Sequence, residues 1–391
     1  MLLNDRNRTE SESPDLDSVT PLYERIPKLG LREYWYPVIE SRKVRSKPVY
    51  VKILGDHIVL FRNIKTRDVY ALEDRCPHRG MALSKGRLYY PGFITCAYHG
   101  WVFDGNGRCH AILTEGPGCT FQSKVNIRHY PAVVHRGVIW LWMGNQRPVD
   151  FGEDIPEEIF SAQSIFYSPQ VIRANWLRLA ENSDGHHAEV LHRRSIPVTV
   201  FSRPAPAWIR PGIKETEDGK GIAHYNEQVG PLVDDYPGLG LWPPKLPMWE
   251  RTVKALLGLN KTITKAHSQN GQRIIREVHL PGWRRIWTRG RSAIIEWPVP
   301  IDEHTTLNFR AYCFLQPSKK IRKRVLTLIY DMMRYYLWWT WARNYFFNGQ
   351  DTYAVENIRE GKMMLQRNDV TITNWYKLIL KKARDYQVEN E

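Results

Sequence analysis

Two short segments limit what this chain can fold into: Cys76-Pro77-His78 and, after 17 intervening residues, Cys96-Ala97-Tyr98-His99. Each brings one thiol and one imidazole, and each is followed closely by a glycine, Gly80 or Gly100. Four such donors serve a metal centre only if two loops meet, so the chain between them must double back rather than continue as one helix. Two thiolates with two imidazoles suit tetrahedral zinc. They suit equally a two-iron, two-sulfur centre in which thiolates hold one iron and imidazoles the other, which raises the reduction potential above that of an all-cysteine centre. Zinc sites usually pair Cys with Cys and His with His, whereas each segment here supplies one of each.

The surroundings are β-rich. Short runs at 49–54, 57–61, 69–72, 93–96 and 138–142 are cut by Gly and Pro turns, which predicts a small all-β domain over residues 30–147. Composition shifts across 145–160, through Gln146-Arg147-Pro148 and the acidic Glu153 to Glu158 stretch, and marks a boundary. A second domain is expected over 160–391, as befits a chain of 391 residues. It opens with a helical pattern from Arg173 to His192 and continues through loops with Pro204, Pro206, Pro211, Pro243 and Pro244. Strands follow near 294–298 and 306–315, with Asp302-Glu303-His304 as the turn between them, and helices are expected over 320–347 and 351–385. Residues 1–20 are polar and acidic and read as a disordered tail rather than a signal peptide.

Five unevenly spaced cysteines do not make a disulfide framework, and without a secretory leader they point to a reducing cytoplasm. The formal charge of +15 attracts any anionic partner by the same long-range field. Its densest stretches, 284–291 and 319–324, carry no nucleic-acid fold motif and are expected to be solvated faces, so no nucleic acid is expected as a partner. Residues 325–347 are apolar and aromatic, but Asp331, Arg334 and Arg343 interrupt them. Each charge would cost on the order of 2.5–3.5 kcal/mol at a bilayer centre, so a half-buried helix is expected there and not a membrane span.

A second donor set lies in Asn182-Ser183-Asp184-Gly185-His186-His187-Ala188-Glu189-Val190-Leu191-His192. Asp184 and His187 share one helix face. His187 and His192, five apart, diverge by about 140° on an ideal helix, so they converge on one metal only if the helix ends or bulges between them. Two imidazoles and one carboxylate form the facial triad of non-heme Fe(II) oxygenases, which keeps positions open for dioxygen and substrate. His186 is a competing imidazole, and the carboxylate can come from elsewhere in the chain: Asp331, Asp351, Glu356 or Asp369.

The loops Cys76-Pro77-His78-Arg79-Gly80 and Cys96-Ala97-Tyr98-His99-Gly100-Trp101 resemble the two ligand loops of Rieske domains. With Trp35-Tyr36-Pro37-Val38, Tyr130-Pro131, Gly137-Val138-Ile139-Trp140 and the Asp184 segment, the chain is similar almost throughout to the terminal oxygenase (alpha) component of Rieske non-heme iron ring-hydroxylating-type oxygenases. Its opening and ligand loops look most like the homotrimeric group that includes carbazole dioxygenase.

The resemblance implies an α+β fold, an all-β Rieske domain followed by a catalytic domain whose antiparallel sheet wraps a C-terminal helix in helix-grip fashion. It implies a [2Fe-2S] Rieske cluster on Cys76, His78, Cys96 and His99, and a mononuclear Fe(II) on His187, His192 and Asp351. Asp184 would act catalytically as the carboxylate that bridges the cluster of one subunit to the iron of its neighbour. The implied activity takes electrons from a ferredoxin or an NAD(P)H-dependent reductase to activate O2, and hydroxylates, dihydroxylates or oxidatively demethylates an apolar or aromatic small molecule. The aromatic residues between Trp338 and Phe347 are a candidate pocket wall. A zinc-stabilised basic binding protein without redox activity is the alternative.

Overall fold

The computed structural model describes residues 22–182, 207–231, 274–288, 292–314, 348–359 and 368–387, together with 191, 235–236, 240–241, 248, 325, 328–329, 332, 361 and 363–366. Nine short strands come first: β1 (Trp35–Glu40), β2 (Val49–Ile53), β3 (Asp56–Arg62), β4 (Val69–Glu73), β5 (Phe93–Thr95), β6 (Trp101–Asp104), β7 (Cys109–Ile112), β8 (Ala132–His135) and β9 (Val138–Trp142). They form three antiparallel three-stranded sheets, ordered β1-β9-β8, β2-β3-β4 and β5-β6-β7. Left-handed backbone closes the tightest turns, at Gly55 (φ 81°) between β2 and β3 and at Gly137 (φ 80°) between β8 and β9.

Hydrophobic packing divides this part in two. Val59, Phe61, Leu72, Leu83, Ile94, Trp101 and Phe103 build a small core of their own around Cys76 and Cys96. The other face of β3, together with β1 and β9, belongs to a larger core that runs on into the second half of the chain, where Trp140 meets Trp297 edge to face at 5.2 Å.

That second half is dominated by one sheet. Its strands are β10 (Ser164–Ile172), β11 (Ala207–Glu215), β12 (Gly221–Pro231), β15 (Ile274–His279), β16 (Trp283–Thr288), β17 (Ser292–Asp302) and β18 (Thr305–Phe314), all antiparallel in the order β10-β18-β17-β16-β15-β12-β11. A two-residue pair, β13 (Asp235–Tyr236) and β14 (Gly240–Leu241), stands apart. Among the described residues the helices of six or more residues are α1 (Trp176–Glu181), α2 (Asn348–Glu356) and α3 (Val370–Lys382), and α3 packs on β11 and β12. The α+β class, with strands first and an antiparallel sheet around a C-terminal helix, is the one expected.

Several local expectations are corrected. The helix expected from Arg173 starts only after Asn175, whose side chain caps it by accepting from the Leu177 amide at 3.0 Å. It starts late because β10 runs to Ile172, and its described part ends at Glu181. Strands replace loop around Pro211, where a bulge between Arg210 and Pro211 spares the ladder a missing donor. The turn at Asp302 is present, with Asp302 Oδ1 accepting from the His304 amide at 3.1 Å. The helix expected over 351–385 is two, α2 and α3. Arg284, expected in a solvated face, is buried, and its neighbour Arg285 is partly so. Among the described residues no helix is long and apolar enough to cross a membrane.

Candidate metal centres

The two loops that carry Cys76 and Cys96 are built alike. Each cysteine amide donates to a carbonyl five residues on, Cys76 to Met81 and Cys96 to Trp101, both at 2.8 Å. Each cysteine carbonyl accepts from the glycine four residues on, Gly80 at 2.8 Å and Gly100 at 3.2 Å. Both glycines are left-handed, at φ 76° and 65°, so a side chain there would strain the turn. At Gly100 a Cβ would also press on Leu113 at 2.9 Å.

This geometry buries the sulfurs and turns the imidazoles outward. Cys76 and Cys96 are almost fully enclosed, whereas His78 is exposed and His99 half-buried. The thiols lie within hydrogen-bonding reach and titrate as a pair: the hydrogen bond from Cys76, helped by the Tyr98 and His99 amides, pulls Cys96 down to about 6 and pushes Cys76 up. The imidazoles meet edge to face at 4.5 Å, and Trp101 stacks on His78 at 5.3 Å and 10°. Tyr98 lies 3.8 Å from the His99 ring. Among the described residues no three His, Cys, Asp or Glu side chains are spaced to hold one metal ion. A pair of adjacent sulfurs beneath a pair of adjacent imidazoles suits two irons bridged by sulfide better than a single tetrahedral ion.

Of the second donor set, Asp184, His186, His187 and His192 lie outside the described residues, as do Asp331 and the aromatic stretch 338–347. Asp351 is described, in the first turn of α2. Its Oδ1 accepts from Asn182 Nδ2 at 3.1 Å, so the C-terminal helix meets the chain five residues before His187. The other candidate carboxylates are engaged elsewhere. Glu356 accepts from the Arg173 amide at 2.9 Å, and Asp369 accepts from the Gln366 amide at 2.7 Å just before α3.

Asp351 and Asn182 line a cavity of about 50 Å³ whose floor is ionic. Glu296 on β17 is buried between Arg284 on β16, at 2.6 Å, and Arg310 on β18. Burial alone would raise the Glu296 pKa, but Arg310 and Arg284 hold it below the ordinary carboxylate range, against opposition from Asp351. Arg284 Nη1 also donates to the Asn182 carbonyl at 3.1 Å, tying the triad to the same turn. None of these three charges stood out as a site in the sequence. The available signal was a charged residue at an inward position of an apolar strand, as in Ile295-Glu296-Trp297 and Phe309-Arg310-Ala311.

Comparison with known proteins decides the family. The Rieske [2Fe-2S] domain family matches residues 34–131, which contain all four donors of the first centre. The carbazole 1,9a-dioxygenase terminal oxygenase component of a Sphingomonas sp is 30% identical over 303 residues, 75% of each chain. The chain belongs to the Rieske non-heme iron oxygenases. Another relative, the phenoxybenzoate dioxygenase subunit alpha of Ectopseudomonas oleovorans, is 31% identical over 244 residues, 54% of this chain and 59% of that one. The fold agrees with that of the terminal oxygenase of carbazole 1,9a-dioxygenase from Novosphingobium sp. KA1, at a TM-score of 0.73 and 24% identity over 95% of this chain and 99% of that one.

As a Rieske oxygenase the chain is a terminal oxygenase component, and its residues 34–131 are a Rieske [2Fe-2S] domain. The zinc-stabilised binding protein finds no support.

Proposed function

We propose that this terminal oxygenase uses Cys76, His78, Cys96 and His99 for the cluster and His187, His192 and Asp351 for a mononuclear Fe(II), and that it oxygenates an apolar or aromatic small molecule. The division into a Rieske domain over 30–147 and a catalytic domain over 160–391, with residues 1–20 as a tail, belongs to the same reading. When bound, the cluster supplies single electrons and the iron activates O2.

One observation carries the second site: Asp351, far along the chain, returns to hydrogen-bond Asn182 at the head of the segment that holds both histidines. The protein's part is to hold that carboxylate. Asn182 fixes one oxygen, and Glu296 balances the buried Arg284 and Arg310 beside it. Asp184, two residues past Asn182, is assigned as the link to the cluster of a neighbouring subunit. That role requires head-to-tail packing closed into a homotrimer. Electrons come from a ferredoxin or an NAD(P)H-dependent reductase in the cytoplasm. Solved relatives include ferredoxin complexes of carbazole 1,9a-dioxygenase, and named relatives act on carbazole, phenoxybenzoate and 3-chlorobenzoate.

The test separates the two centres. His187→Ala and Asp351→Ala should each lose mononuclear iron and turnover while the cluster spectrum stays intact, and Asp184→Asn should keep both metals yet lose turnover. Oxygenation retained in His187→Ala or Asp351→Ala would refute the ligand assignment. Oxygen uptake by the reduced enzyme across a library of aromatic compounds, with product mass, identifies the substrate and the reaction.

A further inference from the structure

A cleft of about 740 Å³ lies on the outer edge of the Rieske domain, where it meets β10. Five arginines line it, and they come from four separate places: Arg42 and Arg45 follow β1, Arg62 ends β3, Arg67 sits in the β3–β4 turn and Arg136 in the β8–β9 turn. One carboxylate, Glu40, shares the lining, so five positive charges less one negative leave a surplus of four. Glu40 is already taken by Arg42 at 2.6 Å and Lys43 at 3.6 Å.

Two of the guanidinium groups are built into the wall. Arg62 donates to the Ser41 carbonyl at 3.0 Å, the Ser41 hydroxyl at 2.6 Å, the Val44 carbonyl at 2.9 Å and the Arg67 carbonyl at 2.6 Å. Arg136 donates to the carbonyls of Ile159 and Ala162, and its own carbonyl accepts from the Tyr167 hydroxyl at 3.1 Å. All these acceptors are neutral, so both cations stay unbalanced. Burial and then the charge of Arg67 hold Arg62 below the ordinary arginine range. The exposed pair, Arg45 and Arg67, shares the same lining. Arg67 has no side-chain hydrogen bond or ion pair among the described residues, and Arg45 uses only Nε, on the Arg42 carbonyl at 2.8 Å.

A solvated basic face would put its cations on separate, outward positions. Here they converge on one concavity and repel one another, which an anion would relieve. Planar guanidinium forks match phosphate oxygens two at a time. We propose that this arginine-lined cleft binds a small molecule carrying a phosphate or pyrophosphate group.

Its volume falls within the roughly 300–1,000 Å³ of small-ligand sites, whereas a docked protein needs a broad surface of about 800 Å². It is also separate from the redox chemistry: the five residues of β4 stand between the Arg67 turn and the Cys76 loop, about 17 Å at 3.3 Å per residue.

The probes are inorganic pyrophosphate and a nucleoside diphosphate, titrated calorimetrically into the full-length holoprotein at an ionic strength of about 0.15 M. One saturable site is expected, weakened at least tenfold by Arg67→Ala and by Arg45→Ala and unchanged by Lys381→Ala on the distant α3, with the visible cluster spectrum as the folding control. Equal affinity for the two probes means that the phosphate alone is read; a tighter nucleotide means an organic phosphate. Absence of saturable binding, or equal weakening by Lys381→Ala, overturns the proposal. So does a rise in KM for the electron donor in Arg67→Ala without pyrophosphate binding, which would make the cleft a docking patch for an acidic protein.

Discussion

Replacing Glu296 by Gln keeps the shape of its side chain and removes the carboxylate paired with both Arg284 and Arg310. All three are buried, at 5%, 7% and 7% exposure, around a cavity of about 50 Å³. Breaking a buried ion pair from one side costs about 3–5 kcal/mol, because a charge is left without a partner. At about 2.1 cal/mol/K of unfolding entropy per residue, a chain of 391 residues unfolding as one unit loses roughly 4–6 °C in Tm for that cost. The loss should depend on pH. Glu296 is held below its ordinary value of 4.5, so its contribution is complete above that value and fades as the pH falls and the carboxyl protonates. Calorimetric melting of both proteins from pH 8 to as far below 4.5 as they stay folded should therefore show a gap that is constant above 4.5 and narrows below it. Mononuclear iron should fall as Arg310 turns its unbalanced charge on Asp351, while the cluster absorbance, seated in a separate core, should not change. A Tm within about 1 °C of the parent at pH 7 would refute the argument.

Asn182→Ala removes the amide that orients Asp351, and by analogy with other metal-supporting hydrogen bonds iron affinity should drop on the order of 10- to 100-fold in a chelator competition. Asp385 is raised from 3.8 to about 6 by burial, with one oxygen on the Arg32 amide and the other without a hydrogen-bond partner among the described residues. A carboxyl raised in the folded state destabilises it above that value, so Asp385→Asn should stabilise the protein by up to about 3 kcal/mol at pH 8 and hardly at all at pH 4 in denaturant titrations. Arg384→Ala breaks a two-pronged pair with Asp154, at 2.7 and 2.9 Å, and should cost about 3 kcal/mol in the same assay.

The first centre was legible because its chemistry is written in nearly consecutive residues: a thiol and a glycine four positions apart in both loops, with an imidazole between them. The role proposed for Asp351 came only through resemblance, since nothing local distinguishes it from Glu356 or Asp369. What separates them is the partner each one meets across the fold. The large sheet was read in part: the strands near 294–298 and 306–315 were expected and are β17 and β18, whereas β11, with Pro211 at a bulge, and β16, with Arg284 pointing inward, were not. Charges that satisfy one another across three strands look, one strand at a time, like solvent-facing residues.

The clasp between Arg384 and the start of the chain bears on biosynthesis. Arg384 also donates to the Glu33 carbonyl, 351 positions before it, and lies over the Tyr34 ring, so the entry to β1 is held by a side chain made long after it. The small lobe around Cys76 and Cys96, whose described core draws only on residues 59–127, does not wait for that contact. The seam behind the lobe closes only once Arg384 has been made.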